Sequence, residues 1–502
     1  MRHILWIALA AISAALLVAA PQETTHIRHQ DGFSYLDLEM RGVVEFNDTD
    51  SDVKSISPDG FFRLEQGVTL GPQKSYTVRP IANGLVATYT FEGSSKPLDA
   101  DGRAWLAHVL PDVIRESAIG ASDRVKRILK QHGPNGVFAE IAKIHSDASR
   151  RIYLERLLEY GNLNTSDLQE AMRLGRKIGS DGEKATLLIA AAPRYQNPAV
   201  REAYFDSVDT VSSDGEHRRV INAVLDRYGA DHQTMALALR SAKRISSDGE
   251  KANVLMHASD FRLTDENVRL NYFRAVDSIS SDGEHRRVLS SVLKKNGADK
   301  EVLTRVLRSA GGISSDGEKA ALLTEATASY IDDPQVRRAF FDTASTISSD
   351  GERHRALAAV ARKAEGNSAT LLEVAKCASH ISSDGEKAAV LIILTDSAAK
   401  DPALEESVIN AANTIHSDGE HARVLMAALN GTAPGRESVI QIIHSAERIS
   451  SDGEKTRVLT RVAQRFNNDS QITAAIRAAA KSISSDGEYR RLMTTLSRGE
   501  SF

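Results

Sequence analysis

From Ile144 to the end of the chain, apolar residues recur in blocks with a period of 33 or 34. In one block Val288, Leu289, Val292 and Leu293 fall at i, i+1, i+4 and i+5, which makes one apolar helix face. A second run before it, Val268, Tyr272, Val276 and Ile279, is again at helical spacing. Between the two runs stands a polar tetrapeptide, Ser-Asp-Gly-Glu. Its aspartates are Asp181, Asp214, Asp248, Asp282, Asp316, Asp350, Asp384, Asp418, Asp452 and Asp486, and an eroded copy lies at Ser146-Asp147-Ala148-Ser149. Three positions before each Asp is an Ile or Val (Ile144 to Ile483). Seven positions after it is a Leu, Ile or Met (Leu154 to Met493). A fixed period of this length marks a solenoid, in which each unit buries its apolar face against its neighbours.

Ser-x-x-Glu is the capping-box pattern of a helix start. It assigns structural capping to Ser180 and Glu183, Ser213 and Glu216, Ser247 and Glu250, Ser281 and Glu284, and Ser315 and Glu318. The same holds for Ser349 and Glu352, Ser383 and Glu386, Ser417 and Glu420, Ser451 and Glu454, and Ser485 and Glu488. The serine would accept from the Glu N–H, the Glu would reach back to the Ser N–H, and each box would contribute about 1 kcal/mol. The Asp suits the positive end of the helix dipole. The glycine costs about 1 kcal/mol against alanine; it either leaves room for a neighbouring repeat or is inherited by duplication. Second helices open with Asn197-Pro198, Asp333-Pro334 and Asp401-Pro402, proline being tolerated at the first helical position. The pattern predicts a mainly α protein: an α-solenoid of about eleven 34-residue helical hairpins over residues 146–497, of generic HEAT- or TPR-like kind.

Residues 27–99 read differently. FSYLDLEMRGVVEF, FFRLEQG, SYTVRPI and LVATYTFEG are β-rich and partly alternating, with turn signals at Pro58-Asp59-Gly60, Gly71-Pro72 and Asn83-Gly84. They predict a small antiparallel β domain, a meander of four or five strands. Residues 100–145 return to helical spacing and form a junction that caps the solenoid, with Trp105 and Leu106 packed in it.

Residues 1–20 begin Met1-Arg2-His3 and continue with an uncharged apolar run over 4–20. This reads as a secretory signal peptide, with a single retained N-terminal membrane anchor as the alternative. Either reading places the rest outside the cytoplasm, periplasmic or secreted. Cys377 is the sole cysteine, which excludes an intramolecular disulfide, and it reads as a small buried apolar residue. Lys plus Arg total 63 and Asp plus Glu 67, so no basic excess points to nucleic acid.

The segment GRAWLAHVLPDVIRESAIGASDRVKRILKQHGPNGVFAEIAKIHSD, between a β-rich stretch and ISSDGEKA-type repeats, resembles regions of bacterial envelope proteins. Some of those follow the membrane metallopeptidase domain of BlaR-type sensors. The resemblance implies an extracytoplasmic sensing or scaffolding region. The HExxH motif of that peptidase is absent, so no protease activity carries over. An aromatic often fills the place of Gly249 and its equivalents in the related repeats.

No catalytic constellation stands out. There is no GxSxG, no phosphate loop and no Cys/His cluster of zinc spacing, so no enzyme activity, cofactor or metal is expected. The expected function is a non-catalytic scaffold for an unidentified protein partner. A sensor or regulatory ectodomain and a cation-binding ladder of the repeated carboxylates are the alternatives. Partner specificity is expected at repeat-variable positions such as Lys251, Arg269, Arg274, Arg287 and Arg353. The residue after each box alternates between Lys (Lys184, Lys251, Lys319, Lys387, Lys455) and, in most other copies, His (His217, His285, His421), which reads as a trace of pairwise duplication.

Overall fold

The computed structural model describes residues 24–330, 332–431, 435–466 and 468–499. The proposed signal or anchor at 1–20 lies outside them. Among the described residues no helix is long and apolar enough to cross a membrane. The chain divides into two compact units that meet in sequence between Ile245 and Ser246.

The first unit opens with eight strands: β1 (Thr24–Asp31), β2 (Ser34–Arg41), β3 (Val44–Phe46), β4 (Val53–Ile56), β5 (Phe61–Val68), β6 (Gln73–Ile81), β7 (Gly84–Phe91) and β8 (Ser94–Lys96). Six of them form one antiparallel sheet in the order β1-β2-β5-β6-β7-β8, and β3 and β4 make a separate hairpin inserted between β2 and β5. The meander is therefore present but longer than expected, and it starts at Thr24. The β6–β7 turn also differs by one position. Ile81 pairs with Gly84, so Ala82 and Asn83 form the turn and Gly84 opens the next strand at φ +133°.

One sheet face is buried by α1 (Ala100–Ser117). Leu38, Phe62, Leu64, Tyr76, Val78 and Tyr89 pack against Trp105, Leu106, Leu110, Val113 and Ile114. Trp105 donates its indole N–H to Gln66 at 2.7 Å, which satisfies the polar atom of a ring that is otherwise buried. The next helix, α2 (Ala121–Ile141), is broken at Gly133, whose φ of +63° precedes Pro134.

The repeats follow. In the first unit the box helices are Asp147–Tyr160, Asp181–Ala191 and Asp214–Tyr228, alternating with Thr165–Gly175, Pro198–Val208 and His232–Ala242. The second unit continues the alternation from Asp248–Ala258 to the last box helix, Asp486–Gly499. That last helix closes the described chain without a second helix, so the array is ten hairpins and one terminal helix. Within each unit, box helices pack on box helices of adjacent repeats, and second helices do likewise. The isoleucine or valine three before each Asp is buried throughout, as is the residue seven after it up to Leu459; Met493 is partly buried. Each such side chain contributes roughly 2 kcal/mol of burial.

Candidate functional site

Every repeat begins its first helix at the Asp, with the preceding serine as N-cap. The serine hydroxyl accepts the N–H of the Glu three residues on, at 3.4 Å for Ser180, Ser281 and Ser451. That half of the expected capping box is made, at the long end of hydrogen-bond distance.

The other half is replaced by something the spacing did not suggest. The serine N–H, which the Glu was to accept, donates to the Asp of the preceding repeat. Asp282 accepts Ser314 N–H at 2.9 Å and Ser315 N–H at 2.7 Å. Asp181 does the same for Ser212 and Ser213, and Asp248 for Ser280 and Ser281. Asp147, Asp316, Asp350, Asp384, Asp418 and Asp452 repeat the contact. These are charge-assisted bonds, shorter than the serine caps and roughly twice as strong as neutral ones. The Asp is thus the clamp between repeats. The full reciprocal box occurs instead at Asn164 and Asp167, at the start of a second helix.

The Glu side chains are partly buried and pair with basic side chains instead. Glu216, Glu284, Glu352, Glu420 and Glu454 pair with Arg219, Arg287, Arg355, Arg423 and Arg457 three residues on. Glu183, Glu318 and Glu386 pair with Arg151, Arg286 and His354 of the repeat before. The box glycine leaves open space. A Cβ on Gly182, Gly215, Gly283, Gly351, Gly385 or Gly419 would meet nothing within 4 Å, so no neighbouring repeat needs the room.

The Lys/His alternation is structural. Lys184, Lys251, Lys319, Lys387 and Lys455 are buried, and each Nζ donates to a carbonyl at the end of its own hairpin: Thr210, Ser278, Thr346, Thr414 or Ser482. Arg353 makes the equivalent bond to the His380 carbonyl at 2.9 Å. In the alternate repeats His217, His285 and His421 are buried, and their Nε2 meets the hydroxyl of Ser241, Ser309 or Ser445 at 2.8, 3.0 and 2.9 Å. Each of those hydroxyls donates onward to Asp209, Asp277 or Asn413. Burial holds all three imidazoles below their ordinary pKa; nearby aspartates, among them Asp214, Asp282 and Asp418, pull the other way. Lys251 and Arg353 are therefore not partner-facing positions. Arg269 is likewise engaged, with the carbonyls of Leu263 and Thr264, whereas Arg274 is exposed.

Cys377 occupies the place of these serines in another repeat. It lies beside Ser345 at 3.8 Å, and burial pushes its thiol pKa up. The start of the ladder has its own clamp. Glu116 of α1 accepts the N–H groups of His145 and Ser146, doing for the eroded copy what Asp does elsewhere. Beside it Arg124 bridges Asp50 at 3.1 Å and Glu140 at 2.7 Å, all three buried, which ties the β3–β4 hairpin to α2.

One exposed apolar surface stands apart from this framework. The β1–β2 and β5–β6 turns lie at the same end of the sheet, joined by Thr69 N–H to Phe33 O at 2.6 Å. There Phe33 is 76% exposed, Leu70 fully exposed, and Val68 and Phe91 more than a third exposed. Leu70 adopts φ +63°, a conformation that costs a bulky side chain about 1–2 kcal/mol.

The fold and the clamp define a helical-repeat solenoid carrying an N-terminal β domain. Comparison with protein-family models finds no match, and neither does comparison with curated proteins.

Proposed function

We propose that this protein is a non-catalytic, extracytoplasmic scaffold for a protein partner. The observation that carries the reading is how the repeated polar groups are used. The Asp, Ser, Lys and His of the motif are consumed in holding one helix to the next. They build a framework and leave recognition to surfaces that vary. The same use weakens the cation ladder, because aspartates such as Asp282 already accept two N–H groups and glutamates such as Glu284 are paired with arginine. Among the described residues no group of three or more His, Cys, Asp or Glu side chains is arranged so that it could hold a metal ion.

The apolar run at 4–20 supports an extracytoplasmic location. The resemblance to repeats that follow BlaR-type peptidase domains supports a second reading, a sensor or regulatory ectodomain, which a retained anchor at 4–20 would favour. N-terminal sequencing of the protein from envelope fractions separates the two. The scaffold itself is tested by affinity capture. Charge reversal in blocks of two repeats is compared with polar substitution of Phe33 and Leu70. Loss of one captured protein in a single block or at the tip supports the reading. Capture indifferent to every variant overturns it.

A further inference from the structure

Two substitutions in neighbouring repeats open a cleft that the equivalent pair of repeats, 68 positions earlier, closes. In that sister pair, Asp209 accepts Ser241 Oγ–H and also pairs with Arg244, whose Nε lies 3.1 Å from the carboxylate. On the same second helix Arg240 pairs with Glu202 at 3.0 Å. Sixty-eight positions on, the serine is kept as Ser309 in the repeat that starts at Asp282, and the acid as Asp277 in the repeat before it. The arginine equivalent to Arg244 is Gly312, and the acid equivalent to Glu202 is Leu270. Asp277 has lost its cation, and Arg308, the counterpart of Arg240, has lost its anion.

The space left is a cleft of about 320 Å³ lined by Phe273, Asp277, His285, Arg305, Arg308 and Ser309, with Gly312 at its back. Two lining groups, His285 and Ser309, are buried and already bonded to each other, so the cleft has a fixed polar floor. Arg305 and Arg308 stand one helical turn apart and are exposed at its edge. The volume is at the small end for ligand sites. One face offers a carboxylate without its guanidinium, the other two guanidinium groups without a carboxylate.

We propose that this cleft binds a small zwitterion of the α-amino-acid class, its cationic nitrogen on Asp277 and its carboxylate on Arg305 and Arg308. A simple cation would satisfy Asp277 and meet two arginines; a simple anion would satisfy the arginines and meet Asp277. A molecule carrying both charges satisfies each wall, and a guanidinium on the cationic end reproduces what Arg244 supplies in the sister repeat. This inference stands apart from the scaffold reading.

Titration calorimetry on the full chain tests it with L-arginine, L-glutamine, agmatine and acetate at millimolar concentration. L-arginine is expected to bind, with agmatine and acetate weaker by tenfold or more. Gly312→Arg rebuilds the sister pair and fills the cleft. A Cβ there lies 3.7 Å from the His285 ring and 3.3 Å from Ser309 O, a close contact that a shift of a few tenths of an ångström relieves, and the sister repeat carries Arg244 at the same place. It should abolish binding without lowering the thermal midpoint. Asp277→Asn, the residue found naturally at Asn413, provides a second fold-preserving variant and should weaken L-arginine at least tenfold. Arg308→Leu should weaken the amino acids and leave agmatine unchanged. The proposal fails if neither amino acid produces heat, if binding survives Gly312→Arg in the folded protein, or if agmatine binds as tightly as L-arginine.

Discussion

Asp282, the first residue of one repeat's helix, accepts the backbone N–H of Ser315 in the next repeat at 2.7 Å. The bond couples a helix start to the helix start after it, which the local capping pattern alone does not do. Replacing Asp282 with Ala removes two charge-assisted bonds and is expected to cost about 2–3 kcal/mol. Ser281→Ala should cost about 1 kcal/mol. Glu284→Ala, which loses only a half-exposed pair with Arg287, should cost less than about 0.5 kcal/mol. Denaturant unfolding gives the order, and hydrogen exchange should show the loss of protection at residues 313–318 in the Asp282 variant. A larger effect for Glu284→Ala than for Asp282→Ala would overturn the assignment of the clamp.

The box glycine is an unused stability margin. Because a Cβ on Gly283 meets nothing within 4 Å, Gly283→Ala is expected to stabilise by about 0.5–1 kcal/mol through the unfolded chain. Combining it with Gly215→Ala and Gly351→Ala should raise the thermal midpoint further, since those sites are equally open. A fall in midpoint for any of the three would show that the backbone there needs glycine after all.

Acid should loosen the His-bearing repeats. His217, His285 and His421 are held below the ordinary value of 6.5 chiefly by burial. The unfolded chain therefore takes up protons first as pH falls below about 6.5, so it binds more protons than the native state and stability declines. The decline ends once pH is below the folded-state pKa. Above 6.5 both states are neutral and these groups add no slope. Gln at all three positions should flatten the stability curve just below pH 6.5 and leave it unchanged at pH 8. An equal slope in the wild type and the triple variant would remove the histidines as its source.

Leu70 holds an unfavourable backbone conformation while fully exposed. Asn tolerates φ +63° better than leucine does, so Leu70→Asn should stabilise the β domain by about 1 kcal/mol. The same change should weaken capture of the partner, because it removes the most exposed apolar side chain of the tip. A rise in midpoint with capture intact would show that the tip is not the contact surface.

The helices and their buried faces were legible because helix periodicity is a local property. Ile313 and Leu323 announce themselves at fixed offsets from Asp316, and both are buried. The clamp was not legible, because its partners lie 32 and 33 residues apart and the same Asp already has a local explanation in the helix dipole. The Lys/His alternation was visible but not its meaning. Lys251 reads as a solvated charge until the fold places its Nζ 3.1 Å from the Ser278 carbonyl. In the β domain Val44–Phe46 falls inside a segment read as β-rich, but its hairpin partner Val53–Ile56 was missed because so short a strand shows no alternation.

The clamp also sets how such an array can change its copy number. Each Asp asks only that a Ser-Ser or similar dipeptide precede the next Asp, so any copy can follow any other as far as that bond is concerned. The histidine chain is stricter: Ser309 belongs to a His repeat, and the acid it reaches, Asp277, belongs to the Lys repeat before it. Loss of a single copy sets two repeats of one kind side by side and strands one end of that chain. Loss of Asp384 through Ser451, a Lys repeat with its His repeat, brings Ser382-Ser383 directly before Asp452, and Asp350 clamps the new junction as it did the old one. Gain or loss of repeats is therefore expected to be tolerated in even steps and penalised in odd ones.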